Sequence, residues 1–214
     1  MTKETTPEAP KLPQELEPIS WLELDPDDPE LSNGRIEDAV VEREEITKLV
    51  LSKMLFRGVK FQQCAFPKAD LTDVVFDSCD LSNASFKNAC FGRVVFRGCK
   101  LTGLDLTEAH VGNVRFEDCL ASLSLFEDAT LKQVRFERTS LTSSNFYNCA
   151  LGKVQLLECD LSDVDFTQTR LAGIDISTCT FDNLHVSLPS LVGCQVSPEQ
   201  AIGFAALLGL KVKR

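Results

Sequence analysis

Nine cysteines, two histidines and 32 acidic residues are the side chains of this 214-residue chain that could carry out chemistry. Thiolates attack electrophiles or bind soft metals, histidines move protons near neutral pH, and paired carboxylates serve general acid–base catalysis. Their spacing argues against all three. Cys79, Cys99, Cys119, Cys159 and Cys179 recur at intervals of 20 with Thr139 in the gap, so thiolates stacked about 4.8 Å apart could bridge ions. The threonine breaks the series and no histidine accompanies it, so no metal is expected. An odd number of cysteines, most at positions argued below to be interior, does not suit a secreted disulfide framework, and they read as small, reduced, buried hydrophobes. Cys90 alone falls at an outward position and is the candidate reactive thiol. His110 and His185 are read as surface residues without a Cys or Ser at nucleophile spacing, and no Gly-rich phosphate loop, H-E-x-x-H or G-x-S-x-G occurs. A catalytic carboxylate pair needs a concave, dry pocket, which this repeat pattern does not promise. No catalytic residue and no cofactor are expected, and the chain is not read as an enzyme.

What must position these side chains is a repeat with a period of five. Every fifth residue from Phe56 to Val196 is apolar, 29 positions in all, and 13 of the 14 phenylalanines fall in this register. Two residues before each centre runs a second series of small or aliphatic residues, from Val59, Cys64, Ala69 and Val74 onward to Cys194, which no charge ever enters. The other three positions of each five carry Asp, Ser, Lys, Arg, Asn and Gly.

A period of five fits neither the 3.6 of a helix nor the two of a long strand, so each five is a short extended segment followed by a turn. Four such sides close one square coil of 20 residues. That second period is present: Val74, Val94, Val114, Val134, Val154 and Ile174 form one column, the cysteine series the next, and Ala69, Ala89, Ala109 and Ala129 a third. Like therefore stacks on like, with hydrogen bonds along the axis at the strand spacing. The expected fold is all-β, a right-handed quadrilateral β-helix of about seven coils, roughly 34 Å long, with a short C-terminal capping or dimerisation helix.

Ala69-Asp70-Leu71-Thr72-Asp73, Cys79-Asp80-Leu81-Ser82-Asn83 and Cys159-Asp160-Leu161-Ser162-Asp163 resemble the A(D/N)LXX consensus of the pentapeptide-repeat proteins. The resemblance covers residues 54–196. In length and in its C-terminal segment the chain is similar to the Qnr-type members, the quinolone-resistance proteins that bind type II topoisomerases. Plasmid-type Qnr proteins carry loops that interrupt the repeat, whereas here the register from Phe56 to Val196 is unbroken.

Residues 1–33 hold six of the nine prolines and an acidic run from Glu23 to Glu30, and read as an acidic, Pro-rich tail. Trp21, Leu22 and Leu24 are the exception and are expected to pin it to the rod. Residues 34–53 read as an imperfect first coil, with an N-terminal cap as the alternative: Ile36, Val41, Ile46 and Leu51 keep the register, but Glu44 would put a charge inside. Residues 54–196 are the β-helix. In residues 197–214, Ser197 N-caps a helix with Pro198 in its first turn and Gln200 at the capping-box position, and Gly209 stops it. A solenoid needs its open end covered. Ile202, Phe204, Ala205, Leu207, Leu208 and Leu210 carry more apolar surface than one coil end needs, so they are also candidate dimer contacts. The Qnr resemblance implies a head-to-head homodimer through this segment.

Residues 1–50 hold 14 acidic against 5 basic residues, a balance of −9, and residues 51–214 hold 18 against 17, a balance of −1. With no apolar run of membrane-spanning length and no secretion signal, a cytoplasmic location and no membrane partner are expected. Sorting outward residues by side sets Asp105, Glu108, Glu127, Asp128 and Asp165 on one side, which has no Lys or Arg after Lys87, and Arg93, Lys132, Lys153 and Arg170 on the next. No basic stripe interleaves with aromatics, so direct nucleic-acid binding is not expected. The resemblance implies a DNA mimic that binds DNA gyrase or topoisomerase IV through the acidic side. The alternative is a non-catalytic scaffold with an unrelated protein partner, since fold does not fix function.

Overall fold

The computed structural model describes residues 6–212, without the side chains of Ala206 and Leu208. Within them the chain is a parallel β-solenoid of about eight turns with a small helical part. Each turn pairs with the one 20 residues on, as in Leu51 with Leu71, Leu71 with Phe91, and Phe116 with Phe136. We number the four sides by the coil that begins at Asp70: the first is centred on Leu71, the second on Phe76, the third on Leu81 and the fourth on Phe86. The first two merge into eight-residue strands, Asp70–Asp77, Cys90–Arg97, His110–Glu117 and Thr130–Glu137. The other two are joined mainly by isolated parallel bridges.

Four corners per coil explain why polar residues recur where they do. The residue two after each centre adopts a left-handed conformation almost throughout the solenoid, mostly as Asn, Asp, Lys, Arg, Gln, Ser or Gly. Asn and Asp tolerate that region through local hydrogen bonds, and glycine has no Cβ to clash there. The aspartate before a centre acts similarly: Asp80, Asp105, Asp160 and Asp165 each accept the N–H two residues on, at 2.7–3.0 Å. Leu123 departs from this pattern. It holds φ 61° at a corner, where backbone strain for such a side chain is about 1–2 kcal/mol.

Inside, like stacks on like. Phe56, Phe76, Phe96, Phe116 and Phe136 form a ladder with centroid separations of 5.0, 4.9, 5.0 and 4.6 Å and ring planes within 11°. The cysteine column runs beside it, and its members donate to carbonyls 23 residues earlier: Cys79 to Phe56, Cys99 to Phe76 and Cys119 to Phe96, each at 3.4 Å, with Thr139 continuing to Phe116 at 3.2 Å. A hydroxyl thus takes the place of a thiol because the position requires a small donor. Hydrogen-bonded Cys119 and Cys79, and then burial, push the Cys99 thiol far up, and burial pushes Cys149 up to about 12. Such thiols stay protonated at neutral pH, and the thiolate is the reactive form.

Part of the segment read as an acidic, Pro-rich tail is built into the solenoid. Glu30–Ser32 pairs with Val50–Ser52 and Gly34–Glu37 pairs with Leu55–Arg57, so the solenoid begins near residue 30 and gains a coil beyond the seven expected. Residues 34–53 form a coil, with Glu44 half-buried while its carbonyl accepts the Ala65 N–H. Before it, Glu17–Pro18 adds to the sheet beside Gly34–Arg35. Trp21 is buried against Phe61 and Phe66, at 5.9 and 5.7 Å, and plugs the end of the interior. Leu24 packs on the core, whereas Leu22 is 92% exposed and pins nothing.

Residues 6–13 run along the rod as a strap. The Glu8 N–H donates to Asn113 and the Lys11 N–H to Asp73, two coils apart, so the segment crosses the coil of Arg93 and Val95 between them. Pro7 is buried, and Val95, at an outward position of the second side, is only 2% exposed. The outward column there reads Leu55, Val75, Val95 and then Arg115 and Arg135, so the strap lies where the outer face is apolar.

At the other end Leu188–Leu191 forms one helical turn, so the last coil is not uniformly β as its register suggested. Pro198–Phe204 is helical with both capping-box bonds of Ser197 and Gln200, and Ala205–Leu208 continues as a 3-10 turn. Gln200 Nε2 donates to the carbonyls of Ile176 and Cys179, both at 2.9 Å, which closes two open valences of the terminal coil.

Candidate functional site

The five acidic candidates all lie on the fourth side, but not as five equivalent charges. Asp105 and Asp165 are turned back on their own corners, accepting the N–H groups of Thr107 and Thr167, and Asp105 also meets Lys87 Nζ at 3.5 Å. Asp128 accepts from Asn148 at 2.6 Å yet remains exposed. Glu108 is exposed and Glu127 half-buried, and among the described residues neither side chain carries a hydrogen bond or ion pair. The outward charge therefore concentrates in Glu108, Glu127 and Asp128, on two consecutive coils.

The basic first side is also uneven. Arg93 is held by Asp73 in a two-pronged pair, Nε to Oδ1 at 2.6 Å and Nη2 to Oδ2 at 2.7 Å, and the same carboxylate accepts from the strap. Lys132, Lys153 and Arg170 instead ring an open trough of about 550 Å³, floored by Leu131, Ala150, Leu151 and Gly152. The outward column here holds glycines at 92, 112 and 152, and Leu151 is half-exposed while Phe91, Val111 and Leu131 in its own column are buried.

Cys90 and His110 are direct register partners on this side, so His110, read from the sequence as lacking a Cys neighbour, stands beside one, as the period of 20 itself implies. Asp70 precedes Cys90 in the same column, so the thiol, not the imidazole, lies between the other two. No hydrogen bond joins these three side chains, and the order is not that of a nucleophile oriented through histidine by an acid. His185 lies at the far end, pairing in register with Asp165. Among the described residues no three His, Cys, Asp or Glu gather as a metal-ligand set, and no helix is long and apolar enough to cross a membrane.

The C-terminal candidates divide between two roles. Phe204 is half-buried against Phe181 at 5.6 Å and belongs to the cap, and Ala205 is likewise half-buried. Ile202, Leu207 and Leu210 are exposed, as is Val212. The Leu208 side chain lies outside the described residues.

An apolar surface not expected from the sequence sits at the corner of the third and fourth sides. Leu120, Leu123 and Leu125 point outward there, and Tyr147 is exposed one coil on at the far corner of the fourth side. The signal was present as apolar residues at three outward positions within six residues, but it is invisible while attention stays on the interior register.

Residues 69–146 match the family model described as a pentapeptide repeat region, and that stretch is one. No curated protein matches the chain. Among solved structures, a trypsin-treated form of QnrB1, described as a plasmid-mediated fluoroquinolone resistance protein, is similar at 22% identity with a TM-score of 0.46, covering 84% of this chain and 90% of that one. HetL, a pentapeptide repeat protein involved in heterocyst differentiation regulation from the cyanobacterium Nostoc sp. strain PCC 7120, is similar at 16% identity with a TM-score of 0.45, covering 78% and 83%. Full-length QnrB1 is similar at 15% identity with a TM-score of 0.38, covering 83% and 100%.

Proposed function

We propose that the chain is a non-catalytic, DNA-mimicking protein that binds DNA gyrase or topoisomerase IV and modulates it or protects it from quinolones. The observation that carries this reading is the fourth side of the rod, where Glu108, Glu127 and Asp128 project and no Lys or Arg follows Lys87. A stiff rod with negative charge along one side fits a cationic groove made for a duplex, and complementary fields speed encounter. The resemblance of the chain's length and C-terminal segment to Qnr-type proteins supports the same class of partner, and fluoroquinolone resistance is the role described for QnrB1.

The test is supercoiling by purified gyrase, with and without ciprofloxacin, in the presence of the full chain. Binding is expected to compete with DNA and to weaken with salt, since exposed charges are screened over about 10 Å at 0.1 M. Reversing Glu127 and Asp128 to Lys is expected to slow association about tenfold at low salt while changing stability by less than about 0.5 kcal/mol. Neutralising the exposed acidic run, Asp25, Asp27 and Asp28 to Asn and Glu30 to Gln, is the control for the acidic N-terminus, and it leaves Glu17–Pro18 and Trp21 in place. If that variant loses binding and the charge reversal does not, the N-terminal segment is the ligand and mimicry by the rod is wrong.

Mimicry of a long duplex also requires two rods end to end. Exposed Ile202, Leu207 and Leu210 support a homodimer through the C-terminal segment. Wild-type protein is expected to sediment as a dimer at micromolar concentration, and Leu207→Asp as a folded monomer. A wild-type monomer would remove the long cylinder. One observation favours a second reading, a scaffold for an unrelated protein partner: residues 51–214 are nearly neutral at −1, which weakens long-range attraction to a DNA-binding groove.

A further inference from the structure

The outward columns of the rod are mainly polar, and three departures fall together at the corner of the third and fourth sides. Leu120, Leu123, Leu125 and Tyr147 are 55, 57, 38 and 37% exposed. Leu120 stands in a column between Lys100 and Ser140, and Leu125 between Asp105 and Asn145, so each is the one leucine in its local row. Tyr147 lies apart from them, one coil on at the opposite corner of the fourth side, where its carbonyl accepts the Asp128 N–H. Leu123 is the one apolar side chain among the non-glycine residues held at positive φ.

The interior behind them is less well filled. Ala121 takes a centre that Leu81, Leu101, Leu141 and Leu161 fill on neighbouring coils. Ser124 is fully buried at the small position and spends its hydroxyl on the Leu101 carbonyl at 2.9 Å. Apolar bulk has thus been moved from the inside of this coil to its outside, onto a strained corner. Folding gains nothing from that exchange. Backbone strain and broken local rules concentrate where a surface has another task, and a contiguous exposed apolar patch marks a site of protein contact.

The rim of the patch says what kind of partner it fits. Glu127 and Asp128 adjoin Leu125 on the fourth side, Glu108 lies one coil before them, and Lys100 flanks the opposite edge beside Leu120. We propose that Leu120, Leu123 and Leu125 are the anchor of a protein-docking surface whose partner presents apolar side chains flanked by Lys or Arg. This rests on the topoisomerase reading and extends it, because a DNA duplex offers no leucines to copy. Acidic residues steer the encounter, and the apolar anchor holds the complex once formed.

The two roles separate kinetically, since steering charges act on association and buried anchors on dissociation. Binding of the full chain to immobilised gyrase is measured by interferometry for the wild type, for Leu120→Ser/Leu123→Gly/Leu125→Ser, and for Glu127→Gln/Asp128→Asn. The leucine variant is expected to dissociate at least about tenfold faster with association within about threefold, and its salt dependence is unchanged. Its melting midpoint stays at or above that of the wild type, because glycine relieves the left-handed corner. The charge variant is expected to do the reverse, with slower association and unchanged dissociation. Leu123→Gly alone, which relaxes the backbone and removes one anchor, is the second variant should the triple fail to fold, and it is expected to dissociate about threefold faster. A folded leucine variant that dissociates at the wild-type rate overturns the anchor and leaves the topoisomerase reading standing. A wild type that does not bind overturns both.

Discussion

Phe136→Asp leaves the chain unfolded. Phe136 is fully buried, 4.6 Å from the ring of Phe116 in the stacked ladder and edge-on to Phe126 and Phe146 at 5.9 and 6.0 Å. Removing the ring alone costs about 3–5 kcal/mol. A carboxylate at the same place has no cation within the column and must be desolvated or protonated, at a further cost of several kcal/mol. The sum approaches the whole stability of a domain, about 5–15 kcal/mol. Because each coil is the template for the next, the loss is not confined to one layer. Far-ultraviolet circular dichroism and a denaturant titration of the purified variant check this, with Phe136→Leu as the companion expected to fold at a cost of about 1–2 kcal/mol. A Phe136→Asp protein with wild-type spectrum and midpoint would mean that the interior register is wrong.

Asp73→Ala destabilises the rod by about 2 kcal/mol and releases the strap. The Asp73 side chain is 6% exposed and closes three hydrogen bonds, two from Arg93 and one from the Lys11 N–H. Removing it leaves a partly buried guanidinium without its partner, less costly than in a fully buried pair because Arg93 retains 26% exposure. Amide exchange at Glu8 and Lys11 should accelerate toward the rate of an open chain, while exchange in the Asp70–Asp77 strand changes little. The pH dependence has a definite sign. Arg93 first, and then the strap N–H, hold the Asp73 carboxyl below its ordinary value. Its stabilisation is therefore complete above the unfolded value near pH 4 and is lost as pH falls through the lower folded value. Unchanged stability and exchange in Asp73→Ala, or strap release beginning above pH 5 in the wild type, would show that this anchor does not hold the segment.

The strap bears on function through the first side. It covers the rod beside Arg93 and ends near Asn113, so the cations that remain uncovered on that side are those around the trough, Lys132, Lys153 and Arg170. The acidic fourth side is left fully open. The negative charge of residues 1–50 does not lie on the strap, whose only charged residues are Glu8 and Lys11; part of it, at Glu30, Glu37 and Glu42, is built into strands of the solenoid.

Phe76, Phe96, Phe116 and Phe136 could be placed from their spacing alone because a period of five, repeated at 20, admits one arrangement in which every apolar residue is buried by its own copy. The same reasoning placed Thr139 among the cysteines and Gln200 at the capping box, since each depends only on near neighbours or on a fixed repeat. It also set the acidic candidates on one side. Other features depend on contacts with no period. The strap is held by Glu8 on Asn113 and Lys11 on Asp73, separations of 105 and 62 residues that no local rule encodes. Its sequence signature was an apolar outward column at Leu55, Val75 and Val95, meaningful only once something is known to lie over it. Whether Asp105 or Glu127 faces a partner turned on corner geometry, because an aspartate before a centre reaches its own turn N–H while a glutamate after it does not. Spacing thus specified the solenoid, whose energy is a sum of identical neighbour contacts. Packing between segments remote in the chain decided which side chains are left for anything else to touch.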